Sequence, residues 1–328
     1  MLQKTQSWQQ ELAEGFNNIA EICKYLNITS EAAKYIEHSP EFPVRVPREF
    51  VDRMRKGDLN DPLFKQILPT KKESLNIPGY TYDPVGDLAS MTESSVIHKY
   101  FGRVLLITTG SCAINCRYCF RRNFPYNDFQ LTTTKHQKAI SYIASHQDIS
   151  EVILSGGDPL LLSDQKLIGL IKKIESIPHI KRIRIHSRIP IVLPHRITNE
   201  LCDKLSSIEK DLILVVHSNH VNELNGKVKI ACQRLKSAHI TLLNQAVLLK
   251  GINDTAEQLC ALHEKLFTFQ VMPYYLHLLD KAAGTAHFEV SHNDGIQLMN
   301  QIKAILPGYL VPKLVTEQAS AANKIVIA

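Results

Sequence analysis

From about residue 103 the chain alternates short apolar runs with helical stretches, and this alternation restricts the fold more than any other feature. The runs RVLLIT (103–108), EVILSG (151–156), RIRIHS (182–187), DLILVVHS (211–218), ITLLNQ (240–245) and VMPYYL (271–276) are rich in β-branched and aliphatic residues. Their near-continuous apolarity suits strands buried on both faces. Between them, TTTKHQKAISYIASH, SDQKLIGLIKKIES and NELNGKVKIACQRLKSA read as helices. Six strands alternating with helices predict an α/β fold with a parallel sheet.

An open doubly wound sheet and a barrel both satisfy that alternation. Polar and small residues stand at the C-terminal end of nearly every run: Ser155-Gly156-Gly157-Asp158, His186-Ser187, His217-Ser218, Asn244-Gln245 and His277. Barrel enzymes collect their functional groups at that rim, one strand after another. The expectation is therefore a partial (β/α)6 TIM-type barrel over residues 96–290.

The flanks read differently. Trp8, Leu12, Phe16, Ile19, Cys23 and Leu26 recur at three- and four-residue intervals, so residues 1 to about 40 read as helices. REFVDRMRKG predicts a second helical stretch, and DPLFKQILP a short one with Pro62 near its start and Pro69 stopping it. Residues 70–95, rich in Pro, Gly and Ser, read as an irregular connection that ends an N-terminal helical region at 95. A C-terminal segment, 291–328, holds the helix NDGIQLMNQIKAIL, then PGYLVPKLV and TEQASAANKIVIA.

A chain of 328 residues, 44% of them hydrophobic, is long enough for a large domain with an appended cap. The polar N-terminus carries no signal-like apolar region, and no apolar run approaches membrane-spanning length, so a soluble cytoplasmic protein is expected. Seven cysteines, unevenly spaced, make a poor disulfide framework and suit the same reducing compartment. The net charge of +6, from 38 basic and 32 acidic residues, is too weak to argue nucleic-acid binding.

CAINCRYCF places Cys112, Cys116 and Cys119 at C-x3-C-x2-C spacing directly after the first strand, at the expected rim. A structural zinc takes four protein ligands, whereas three leave a coordination position open for chemistry. A fourth cysteine from afar would close the site, but Cys202, Cys232 and Cys260 fall within helix-like segments. The spacing favours a three-cysteine cluster over structural zinc.

With Tyr118 before the last cysteine and Gly156-Gly157-Asp158-Pro159 after the next strand, this loop resembles the radical S-adenosylmethionine superfamily. The resemblance implies that the three cysteines bind a [4Fe–4S] cluster whose fourth iron takes S-adenosylmethionine. The glycine pair, lacking Cβ, is read as allowing close approach to the methionine amine. HKYFGRVLLITTGSCAINCRYCFRRNFPY, RIRIHSRIPIVLPHRIT, TLLNQAVLLKGIND and MPYYLHLLDKAAGTAHF narrow it further. From about residue 45 onward the chain is similar to lysine 2,3-aminomutases, and VRVPREFVDRM and PGYLVPKL match their short branch, which serves elongation factor P.

That resemblance implies pyridoxal 5′-phosphate as a further cofactor and an isomerase that moves the amino group of a lysyl unit from Cα to Cβ. The position matching the pyridoxal lysine is Lys324, although the family's flanking glycines and Thr-Pro are replaced here by ASAANKIVIA; Lys313 is the fallback. Tyr100 and Arg103, with Lys99 nearby, match the phosphate contacts. Arg121 matches the residue that binds the substrate carboxylate, and Asp280 and Glu317 match those that bind the distal ammonium. Tyr118, His217 and Gln245 match contacts to the adenosyl group. Implied partners are lysine or a lysyl group, elongation factor P with its lysine-attaching ligase, and an electron donor. Neither a membrane nor a nucleic acid is expected. Three rivals stand beside this reading: a catabolic enzyme of free lysine, a zinc- or RNA-binding module, and a degenerate relative without pyridoxal.

Overall fold

The computed structural model describes residues 7–29, 34, 36–38, 40–92, 96–126, 133–319 and 321–328, and expectations for the others lie outside it. The apolar stripe near the N-terminus is divided between two short helices. In α1 (Trp8–Ala13), Ser7 and Gln10 cap each other reciprocally. At Gly15 a Cβ would lie 2.9 Å from Val46 O, and Phe16 bridges Val46, so a crossing segment interrupts the helix there. Asn18 then caps α2 (Ile19–Tyr25). REFVDRMRKG is helical only over α3 (Arg48–Val51). In α4 (Pro62–Lys65), Pro62 stands at the start and Asp61 accepts from Leu63 N and Phe64 N at 2.9 and 3.0 Å.

All six apolar runs are strands of one sheet, nine-stranded among the described residues, that follows chain order. They are β2 (Arg103–Thr109), β3 (Glu151–Gly156), β4 (Arg182–Ser187), β5 (Asp211–His217), β6 (Thr241–Val247) and β7 (Met272–His277), after β1 (Val96–Tyr100). The sheet extends beyond the six expected strands. β8 (Lys313–Thr316) adds a seventh parallel strand, while β1 and β9 (Ile325–Val326) pair antiparallel at the two edges. Strands of four and two residues carry too little periodicity to be read from sequence.

Leu106, Leu154, Ile185, Leu214 and Leu242 stand in register across β2–β6. All are buried in the core with Leu167, Ile171, Leu201, Val228 and Leu259 of the surrounding helices. Those helices are α5 (Thr133–Ser145), α6 (Asp164–Glu175), α7 (Ile189–Val192), α8 (Asn199–Ser206), α9 (Gly226–Ser237), α10 (Ala256–Thr268) and α11 (His292–Ile305). Ser163, Thr198, Asn225, Thr255 and Ser291 each cap the helix that follows by accepting an N–H three residues on. The residues beside the apolar row point the other way, and Leu105, Ile153, Arg184, Ile213 and Leu243 line a single cavity. One face of the sheet thus lines the cavity and the other packs on the helices, as in a partial barrel, and β1 and β9 do not pair with each other among the described residues.

Residues 70–92 of the irregular connection form a strap over the rim. Thr81 exchanges backbone hydrogen bonds with Lys281 and Ala283 at 2.8 and 2.9 Å. Glu73, on the same strap, pairs with Arg117 and Arg122 beside the cysteines. Among the described residues, no helix is long and apolar enough to cross a membrane.

Candidate active site

The cysteine loop leaves the end of β2 and is held from the N-terminal side. Asn115 N donates to Arg45 O and Arg117 N to Gln66 O, both at 2.9 Å. Arg117 is fully buried, with Nε donating to Glu73 at 2.9 Å and Nη1 to Phe42 O at 2.8 Å. Cys112, Cys116 and Cys119 are free thiols that line the cavity. Burial and the neighbouring thiols raise the pKa of Cys112 well above its usual value and that of Cys119 to about 11. A positively charged centre bound there would offset this cost and release the protons. Among the described residues, no three His, Cys, Asp or Glu side chains gather closely enough for one ion. The thiolates of an iron–sulfur cube each take a different iron and so stand farther apart.

Gly156 has a φ of +115°, and a Cβ there would lie 2.7 Å from Thr109 O. At Gly157 a Cβ would lie 2.2 Å from Ser111 O. The pair is thus required by the chain itself, because it makes room for the backbone that leads into the cysteines. The sequence alone points instead to a ligand in that room. Asp158 accepts from Ser187 Oγ, Arg188 N, Leu160 N and Ile189 N at 2.7, 2.8, 3.1 and 3.2 Å. Burial nevertheless pushes its pKa to about 6, against the pull of those bonds. Its carboxylate ties the end of β3 to the turn after β4.

The cavity has a volume of about 700 Å³ and runs from Arg103 and Glu151 at the strand starts to Asp158 and Arg188 at the rim. One wall carries charges of alternating sign. Arg121 Nε donates to Asp87 at 2.8 Å, and Lys99 Nζ lies 2.5 Å from Asp87 and 3.2 Å from Glu317. Glu317 also pairs with Lys324 Nζ. These neighbours hold Asp87 and Glu317 below the usual carboxylate range in spite of burial. Asp280 lines the same cavity, and burial raises its pKa to about 7. Lys324 lowers it, while Glu317 and Asp87 push it up. Lys324 lines the cavity, whereas Lys313 is exposed at the start of β8.

Toward the rim, Tyr118 is buried, with its OH 3.0 Å from His217 Nε2 and accepting from Asn219 Nδ2 at 2.7 Å. Its ring stacks on His217 at 5.7 Å between centroids. Burial and the charge of Arg188 keep His217 neutral, well below its usual pKa. Gln245 lines the cavity one strand away. At the opposite end, Arg103 lies 4.9 Å over the Tyr100 ring. The Tyr100 OH, Arg184 Nε, His186 Nε2 and His277 Nε2 are buried without a partner in the protein. Such orphaned donors and acceptors on a cavity wall fit a polar ligand.

The residues matched to cofactor or substrate roles line this cavity, apart from the fallback Lys313, whereas the strand-end residues Ser218 and Asn244 are buried against each other. Four residues went unread. Asp87 sits on the strap, whose irregular sequence gives no sign of where its side chains reach. Gln66 and Glu223 are buried in a polar network that only packing assembles. Arg188 directly follows the strand-end pair His186-Ser187, so the pattern that marked the other rim groups extends to it.

Residues 106–262 match the sequence profile of the Radical SAM superfamily. The chain is 43% identical to the L-lysine 2,3-aminomutase of Escherichia coli (strain K12), over 97% of this chain and 94% of that one. It is 41% identical to the L-lysine 2,3-aminomutase of Haemophilus influenzae, over 99% and 96%. The enzyme of that name from Clostridium subterminale is 33% identical, over 97% of this chain and 76% of its own length. A sulfur-lined rim, a lysine inside the barrel and relatives matched along nearly their whole length agree: this chain belongs to the L-lysine 2,3-aminomutase family of the Radical SAM superfamily.

Proposed function

We propose that this protein is an isomerase that moves the amino group of a lysyl unit from Cα to Cβ, using a [4Fe–4S] cluster, S-adenosylmethionine and pyridoxal 5′-phosphate. One observation carries the reading: three unpaired thiols, Arg121, Asp280, Glu317 and Lys324 all line one cavity. When bound, the cluster and S-adenosylmethionine supply hydrogen abstraction, and pyridoxal phosphate supplies carbonyl chemistry at the amino group. The protein's own share is binding, orientation and the exclusion of water.

Cys112, Cys116 and Cys119 hold the cluster. Gly156, Gly157 and Asp158 shape the loop around it, and Tyr118, His217 and Gln245 flank the adenosyl side. Lys324 anchors the pyridoxal, with Tyr100 and Arg103 at its phosphate; a cation and a buried hydroxyl suit a dianion. Arg121 meets the substrate carboxyl, and its guanidinium is already fixed on Asp87 and on Ser155 Oγ at 3.3 Å. Asp280 and Glu317 receive the distal ammonium. Ile153, Ile213 and Leu243 make the intervening wall apolar, which keeps water from reactive species.

The substrate class is lysine or a lysyl group. The finer reading is a lysine destined for, or attached to, elongation factor P, with the lysine-attaching ligase as pathway partner and a one-electron donor. It is supported by the short-branch motifs VRVPREFVDRM and PGYLVPKL. Seven unpaired cysteines suit the reducing cytoplasm.

The test is anaerobic reconstitution followed by turnover of free lysine and of lysylated elongation factor P, with β-lysine scored chromatographically. Absence of product from both would overturn the aminomutase reading. Product from free lysine alone would remove the attached lysyl group as substrate.

A further inference from the structure

Arg188 is buried where β4 turns into α7, and groups from separate parts of the chain converge on it. Its Nη1 donates to Cys116 Sγ. Its Nη2 donates to Gln66 Oε1 at 2.6 Å and to Glu223 Oε2 at 3.1 Å. Its own backbone N–H is held by Asp158 at 2.8 Å. The rings of Phe50 and Tyr118 lie 5.4 and 5.7 Å from the guanidinium carbon.

Each partner is itself fixed. Glu223 Oε1 accepts from Gln66 Nε2, Asn219 N and His220 N at 3.0, 2.9 and 3.0 Å. Gln66 Oε1 also accepts from Asn219 Nδ2 at 3.0 Å. A buried guanidinium is retained where its planar fork meets several acceptors at once. Here the fork spans an amide, a carboxylate and a cysteine sulfur, so a fixed cation faces the cysteine loop.

We propose that Arg188 is a positioning residue that hydrogen-bonds the Cys116 thiolate and favours the reduced form of the cluster. Gln66 and Glu223 set its orientation. The inference rests on the assignment of the cluster to Cys112, Cys116 and Cys119. The physical reason is the hydrogen bond held by the fork: reduction adds one negative charge to the cluster, and a hydrogen bond to its sulfur stabilises that state more than the oxidised one.

The experiment compares the full-length chain with its R188K and R188M/E223Q variants, each reconstituted anaerobically with iron and sulfide. R188K keeps the charge but loses the fork. R188M/E223Q removes both charges, so no lone ion is left in the core. Iron and sulfide per chain are measured first. The midpoint potential then follows from a dithionite titration read by electron paramagnetic resonance, without substrate or pyridoxal. Both variants should hold the cluster and lose roughly tenfold in preference for the reduced state, a midpoint about 59 mV more negative. Wild-type midpoints in both variants at full iron content overturn the proposal. The cluster assignment fails separately, if the wild-type chain takes up no cluster or if C116A retains its full iron content.

Discussion

Asp87 joins Arg121 to Lys99 inside the barrel: one carboxylate oxygen accepts from Arg121 Nε at 2.8 Å, and the other meets Lys99 Nζ at 2.5 Å. The strap over the rim thereby reaches the residue assigned to the substrate carboxyl. D87N keeps the shape but removes the charge that both cations share. The KM for lysine should rise by about tenfold, the weight of one charge-assisted hydrogen bond, with a smaller change in kcat. Steady-state kinetics separate the two, and an equal fall in kcat alone would count against a binding role.

Asp280 sets a pH dependence. Its pKa of about 7 means that the carboxylate loses its charge as pH falls through neutrality, and with it the attraction for an ammonium group. Between pH 8 and pH 6 the KM for lysine should therefore rise toward lower pH, approaching tenfold per unit below the pKa. In D280N the KM should be high throughout and flat over that range. A wild-type KM independent of pH would remove Asp280 from ammonium recognition.

Lys324 and Lys313 are distinguished by a covalent mark. Borohydride reduction of the pyridoxal-loaded protein should label the peptide that contains Lys324, and K324A should lose bound cofactor on dialysis. K313A should keep both the label and the activity, because Lys313 is exposed at the start of β8. A label on Lys313 would reverse the assignment.

Two glycines make opposite predictions for the same substitution. At Gly157 an added methyl meets the Ser111 backbone, whereas at Gly169, within α6, nothing lies within 4 Å. G157A should cost about 1–3 kcal/mol in chemical denaturation and lower the iron bound per chain. G169A should stabilise by about 0.5–1 kcal/mol with unchanged iron content.

The readable parts of this protein were those set by local pattern. β2, β3 and β5 showed in the sequence because burial on both faces leaves an almost unbroken apolar run, as in Val152, Ile153 and Leu154, whereas β4 and β6 bury alternate residues. The cysteine loop showed because its ligand spacing is contained within eight residues, 112–119. The break between the first two helices at Gly15 was hidden, because its cause is Val46, in a segment with no periodic relation to it. The glycine pair was found for an incomplete reason: its nearest demand is the backbone of Thr109 and Ser111.

Period and spacing in the chain establish the β/α order, the cysteine motif and the polar ends of the strands. Which charges meet inside the barrel is a matter of packing alone. Lys99 and Glu317 are 218 residues apart in sequence yet share a hydrogen bond, and Arg188 finds Cys116 across 72. Contacts of that kind arise only when the sheet curls and the strap and C-terminal strands close on it, because they join residues whose separation carries no local pattern.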